Sequence, residues 1–427
     1  MTTLAIALRT RTFRSLGAHR NYRVFFAGQV VSLAGTWMQN VALAWLVLEL
    51  TRSPLAVGAL AFWRFVPFTL FGLVAGVVAD RVDTRRLVMT TQGAAMVVST
   101  ALSVVALTGT ATLPIVYVLA ALGGTALAFD APGRQSLTFQ MVGPRELPNA
   151  VALNTGLFNG SRIVGPAIGG LIIAAAGTGV CFALNALSFL AVLAALAALR
   201  EDELHPVERD PTAGVLTGMR RALGFVRRQA ELRAVLGVVT VVSTVGFNFH
   251  VLVPLLAANT LDVGPVGLGF LSAAFGVGAV AGALATATFH GASWRLFSAG
   301  AVGFGVFALA LAPVENAVLA GLLLVAIGVS FTLFAANANA LVQLGAPDKL
   351  RGRLIGLYLF GFVGLAPVGG LLAGWLAELG GTPLAFAVAG VTSLAAVALA
   401  TAWRSRAQAP GTAVAVPRSE PVLRRTT

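Results

Sequence analysis

The sequence is short of charge. Only 11% of its 427 residues are Asp, Glu, Lys or Arg, against about 25% in an ordinary soluble domain. A chain of this size folded in water needs far more polar surface, so a soluble globular enzyme is excluded. Cys181 is the single cysteine, which rules out an intramolecular disulfide framework and a cysteine-based metal site. One lysine, Lys349, stands against 28 arginines. No Gly-x-x-x-x-Gly-Lys-Ser/Thr, His-Glu-x-x-His or Gly-x-Ser-x-Gly segment occurs. Direct drive by ATP and the hydrolytic chemistries of the other two motifs therefore have no carrier.

What is present is apolar. Hydrophobic residues make up 57% of the chain and the mean hydropathy is +0.87. Runs long enough to cross a ~30 Å hydrocarbon layer as helices are expected at 24–49, 55–79, 86–108, 113–134, 148–174 and 178–199. A polar stretch, 200–232, separates them from six more at 234–258, 266–289, 296–314, 317–343, 353–377 and 382–403. None shows the alternation of a lipid-facing barrel strand. The expected fold is an all-α membrane protein of twelve helices in two pseudo-symmetric six-helix bundles. Its parts are a tail (1–23), a first bundle (24–199), a central loop (200–233), a second bundle (234–403) and an unstructured tail (404–427).

The formal net charge of +13 is arranged by side. Arginines 9, 11, 14, 20 and 23 precede the first span. Arg81, Arg85 and Arg86 follow the second, and Arg200, Arg209, Arg220, Arg221, Arg227, Arg228 and Arg233 fill the central loop. Lys349, Arg351 and Arg353 lie between the tenth and eleventh, and more arginines follow Trp403. The alternate connections hold Arg52 alone. This is the positive-inside asymmetry of a multi-pass protein of the plasma (inner) membrane with both termini cytoplasmic, and it makes nucleic-acid binding an unnecessary reading. In the central loop, Val215, Leu216, Met219, Leu223 and Val226 share one helical face, as expected of a helix lying beneath lipid headgroups.

The halves repeat at an offset of about 200 residues, since AFDAPGRQSL, GPRELPNAVALN and GPAIGG are answered by LFAANANALV, APDKLRGRLIGLY and APVGG. Parallel repeats of this kind place a cavity between the halves near the midplane. Segment 76–86, GVVADRVDTRR, makes a tight turn in which Asp80 ends one helix and can cap or pair with the next. Its Gly76, Asp80, Arg81 and Arg85 resemble the signature loop of the major facilitator superfamily, which implies a gating latch. Asp83 stands where that family usually has glycine. Gly165, Pro166, Gly169 and Gly170 are similar to the antiporter motif of its exporting members, and small residues at such spacing also let helices pack closely. FDAPGRQ at 129–135 is similar to the siderophore-exporter and macrolide-efflux branch.

Charges inside spans cost about 2.5–3.5 kcal/mol each, which makes every one a functional candidate. Arg64, Asp130, Arg134 and Arg162 are such charges. Asp130 is expected either to pair with Arg134 or Arg162 for structural reasons, or to exchange a proton and switch partners between states. Arginines embedded in the first half favour a substrate with anionic or strongly polar groups. Gln29, Ser32, Thr36, Trp37 and Asn40 on the first span, with Asn154, Thr244, Asn248 and Asn337, outline a candidate cavity. His250 is a lone intramembrane histidine. These residues point to a secondary transporter of an amphiphilic small molecule, expected to be monomeric, to need no cofactor and to draw on a proton gradient, and the resemblance to exporting members implies that the direction is export. A lipid or lysolipid flippase, an uptake carrier of the same fold and a non-transporting sensor are the alternatives.

Overall fold

In lipid every backbone N–H and C=O must be satisfied within its own segment, so long apolar runs become helices. The computed structural model describes residues 12–206, 215–288, 291–347 and 350–407. Arginines 9, 11 and 209, Lys349 and residues 408–427 lie outside them, while 404–407, expected to belong to the unstructured tail, continue the last helix. Among the described residues there is no strand.

The first three spans are Arg20–Thr51, Pro54–Arg81 and Thr84–Leu107. Helix then runs from Leu113–Ala197 with breaks at Gly143 and Gly177, where φ of 67° and 81° suits glycine. The fourth to sixth spans are therefore 113–142, 144–176 and 178–197. Helix thus continues through GPRELPN, which the sequence expectation leaves outside the membrane. Pro144, just after the Gly143 break, takes a first helical position where a missing N–H costs nothing.

The seventh span is broken. Ala230–Val241 widens into a π turn at Val242–Gly246 and resumes as Phe249–Leu255 and Leu256–Thr260. Gly264–Thr288, Trp294–Leu311 and Ala317–Leu344 are the eighth to tenth. The eleventh starts at Arg351–Leu359, widens at Phe360–Gly364 and runs on in Ala366–Ala407. A break at Gly380–Gly381 releases the twelfth. Divided at these breaks, the helices among the described residues make twelve segments, consistent with the twelve expected.

Helix starts follow local chemistry. Ser53, Asp83, Ser293 and Asn316 each accept a hydrogen bond from a backbone N–H of the turn they precede, filling otherwise orphaned donors. In the central loop Val215–Arg228 is helical. It buries Ala222 and Val226 and leaves Leu223, Arg220, Arg221, Arg227 and Arg228 exposed.

The two bundles meet through glycine. A Cβ on Gly58 of the second span would lie 3.0 Å from the Gly374 Cα of the eleventh. One on Gly170 of the fifth would lie 3.0 Å from the Gly269 Cα of the eighth. Both crossings sit near the face opposite the arginines. There Glu378, at the end of the eleventh span, accepts from Ser53 Oγ and the Leu55 N–H, each at 3.1 Å. Toward the arginine-rich face the same helices separate. Gly72 and Gly76 on the second span, Gly156 and Gly160 on the fifth, and Gly352 and Gly356 on the eleventh have open space where a Cβ would stand. The bundles enclose a cleft that is shut at one face and open at the arginine-rich one.

Candidate functional site between the bundles

Arg162 projects from the middle of the fifth span into this cleft, partly exposed. Its guanidinium carbon lies 4.4 Å from the ring centre of Phe275 on the eighth span. It is 5.3 Å from Trp37 on the first and 5.8 Å from Phe247 on the seventh. Among the described residues it makes no hydrogen bond or ion pair, so its charge is held by ring faces from three helices. Trp37 is steadied edge-on by Phe158 at 5.4 Å. Phe247 stacks on Phe331 at 3.7 Å.

The break in the seventh span sets this geometry. Phe247 and Asn248 stand between the helical segments: the Phe247 N–H closes the π turn on the Val242 carbonyl at 3.0 Å, the Asn248 carbonyl starts the next helix by accepting from Val251 and Leu252, and the Asn248 side-chain amide donates to the Thr244 carbonyl at 2.8 Å. Gly369 of the eleventh span lets the two helices touch here, since a Cβ would lie 2.9 Å from Asn248 Oδ1. Four buried polar atoms along this span have no hydrogen-bond partner among the described residues: Ser243 Oγ, Thr244 Oγ1, Asn248 Oδ1 and His250 Nε2.

Arg64 is the second charge of the cleft. It donates to Asn40 Oδ1 at 2.5 Å and lies 5.7 Å from the Phe65 ring centre. Phe65 in turn meets the His250 ring edge-on at 5.0 Å. Trp37, which covers Arg162, and Asn40, which accepts from Arg64, stand three residues apart on the first span, so the two arginines approach one face of that helix.

Asp130 and Arg134 belong to a separate network inside the first bundle. Asp130 Oδ2 pairs with Arg134 one turn on. Its Oδ1 accepts from Thr91 Oγ1 at 3.0 Å and Gln92 Nε2 at 2.8 Å, and Arg134 donates to Gln29 Oε1 at 2.7 Å. Of the two partners expected for Asp130, the nearer in sequence is the one it meets, because residues four apart share a helix face.

The candidate cavity residues divide. Trp37 and Asn40 meet Arg162 and Arg64, whereas Thr244 and Asn248 lie against Gly369 within the second bundle, Asn248 fully buried. Gln29 is tied to Arg134, and Thr36 donates to the Ser32 carbonyl at 2.9 Å. Asn154 accepts from the Tyr22 hydroxyl at 3.0 Å and bonds Thr138 Oγ1, within the first bundle. Asn337 is buried and bonds the Leu333 carbonyl at 2.9 Å, away from the cleft. Phe247, Phe275 and Phe65 are absent from the sequence-based set, because an aromatic in an apolar run looks the same facing lipid, core or cleft.

In the turn after the second span, Asp83 caps the third span by accepting from the Arg86 N–H at 2.7 Å, the role the sequence offered to Asp80. Arg85 donates to the Leu196 and Ala197 carbonyls at 2.8 and 2.9 Å and pairs with Glu201, closing the end of the sixth span. Asp80 and Arg81 are exposed. Of the glycine-proline motif, Gly165 and Gly169 pack against the first span at Ala34 and Met38, while Gly170 and the Pro166 carbonyl make the crossing to Gly269.

The family described as transmembrane secretion effector matches residues 12–421. The chain belongs to it, and so to the major facilitator superfamily. The Staphyloferrin A transporter of Staphylococcus aureus is 25% identical over 382 residues, covering 87% of this chain and 93% of that protein. Multidrug efflux pump Tap of Mycolicibacterium fortuitum is 30% identical over 366 residues, covering 83% and 88%. In fold, the crystal structure of peptide transporter POT in complex with sulfate superposes with a TM-score of 0.74 at 11% identity, over 91% of this chain and 95% of that one. This major facilitator protein is a transporter rather than an enzyme. Among its described residues no three His, Cys, Asp or Glu side chains come together as a metal site.

Proposed function

We propose that the chain exports an amphiphilic small molecule, such as a drug, siderophore or secondary metabolite, by alternating access in the plasma membrane. The observation that carries this reading is the cleft, shut by paired glycine crossings at one face and open at the other, with Arg162 and a wall of rings inside. The positive-inside rule assigns the open face, and both termini, to the cytoplasm. The cleft then loads from inside the cell. A relative named as a multidrug efflux pump supports the outward direction. Both bundles come from one chain, so a monomer supplies the whole pathway.

Proton entry is the proposed drive. Asp130 is the one carboxylate in the interior of a span, and its exchange of Arg134 for a proton is the switch in this reading. Asp80 and Arg81 form the latch of the opposite state, in which the cytoplasmic ends close.

Everted membrane vesicles test it. Respiration acidifies the lumen, and macrolides, siderophores and other drugs are added in turn. A compound that discharges the gradient through the parent but not through Asp130→Asn at matched expression supports antiport with Asp130 in coupling. Equal discharge keeps antiport and leaves Asp130 as packing. Silence across the panel, with folded protein verified, overturns proton-coupled export in favour of a lipid flippase or a facilitative carrier.

A further inference from the structure

The interior charges of the spans do not balance. Arg64, Arg134 and Arg162 stand against Asp130 alone, the other 15 of the 16 acidic residues lying at span ends or outside them. Both Asp130 oxygens are engaged within the first bundle, so this carboxylate compensates Arg134. Arg64 and Arg162 face the cleft, and among the described residues no carboxylate pairs with either. An uncompensated cation at this depth is expensive, and a chain that needed only to staple its bundles together could do so with apolar residues.

The way Arg162 is held leaves it available. A ring covers the face of a guanidinium, whereas hydrogen bonds to a carboxylate leave from its edges in the guanidinium plane. Phe275, Trp37 and Phe247 therefore stabilise the charge without consuming its donors. Arg64 has one donor on Asn40 and the rest of its fork free of described partners. The second bundle adds no formal charge to the span interiors. It contributes His250, the orphaned Thr244 and Asn248 oxygens, and a phenylalanine wall in which Phe249 stacks on Phe275 at 4.6 Å and Phe247 on Phe331.

We infer that Arg162, with Arg64 beside it, is an anion subsite that receives the carboxylate of an amphiphilic acid whose apolar body lies along Phe247 and Phe275. A cationic amphiphile meets two like charges and no free carboxylate in the same space, so the subsite discriminates against it. The inference deepens the export reading and rests on it for its place in the cell. Binding in solution keeps the two separable.

The test uses the purified full-length protein in detergent and two near-isosteric probes, 1-naphthaleneacetate and 1-naphthaleneacetamide, measured by equilibrium dialysis. The carboxylate is expected to bind about tenfold tighter than the amide, a difference of about 1.4 kcal/mol. In Arg162→Gln that preference disappears while the amide binds as before, which also verifies folding. Arg162→Lys, which keeps the charge, retains part of the preference. Equal binding of the two probes by the parent overturns the inference. So does a preference that survives in Arg162→Gln, or no binding of either probe up to about 5 mM, where millimolar sites fill. A carboxylate preference without efflux in vesicles sinks the export reading and leaves the subsite standing. Drug-driven proton flux without the preference does the reverse.

Discussion

Arg162 belongs to the first bundle and Phe275 to the second, yet the guanidinium carbon of one lies 4.4 Å from the ring centre of the other. A cation seated on a ring across the cleft ties the charge of one bundle to the position of its neighbour. Any rocking that opens the opposite face must lift Arg162 off Phe275, or carry both along.

Phe275→Leu keeps apolar volume and removes the ring. A partly desolvated cation–π contact is worth about 0.5–2 kcal/mol, so the closed face is expected to open several times more often. Spin labels on Thr110→Cys and Glu315→Cys, exposed on that face in different bundles, report it in a Cys181→Ala background. The long-distance population between them should rise. An unchanged distance distribution would show that the contact does not hold the bundles.

The glycine crossing at Gly170 admits no side chain. Gly170→Val places bulk against the eighth span at Pro265 and Gly269, so the face cannot shut. The same label pair should show only the long distance, and drug efflux should fall at least tenfold. Gly160→Val, where space is open, is the matched control and should leave the distances alone.

Glu378 brings a carboxylate to the N-terminal end of the second span, where a negative charge is favoured by about 0.3–1 kcal/mol. Glu378→Ala should therefore raise the open population two- to fivefold by the same label distances, and Glu378→Gln, which can still accept from Ser53, by less. An increase for Gln equal to that for Ala would assign the effect to charge rather than to the hydrogen bonds.

Asp130→Asn leaves Arg134 without its counter-charge in a buried network. Breaking such a pair costs about 3 kcal/mol, and removing both charges costs less. The melting temperature in detergent should drop clearly for Asp130→Asn and recover in part when Arg134→Gln is added. A double variant no more stable than the single one would show that Arg134 is not the group left stranded.

Much of this protein was readable in the sequence because its determinants are local. A run of apolar residues must become a helix in lipid, whatever it packs against, and the breaks at Gly143, Gly177 and Gly381 fall close to where glycine, proline and charge mark them. The sidedness of the arginines is a property of loops and needs no contact. Arg162 and Arg64 stood out because a charge inside a span is costly wherever its helix faces.

Only the tertiary structure decided what each side chain meets. Asp130 had two arginines within its range of expectation; the helix period supplied Arg134, whereas the packing of the fifth span set Arg162 on the rings of Phe275, Trp37 and Phe247 rather than on Asp130. Asn154, Asn248 and Asn337 look like Asn40 in sequence, yet of the four only Asn40 meets an interior arginine. Phe247 and Phe275 carry no mark among 26 phenylalanines. They become part of a site through the π turn that breaks the seventh span and the glycine crossings that bring the bundles together. Helix formation is decided within a segment, whereas a cleft between bundles depends on the rotation and approach of helices far apart in the chain.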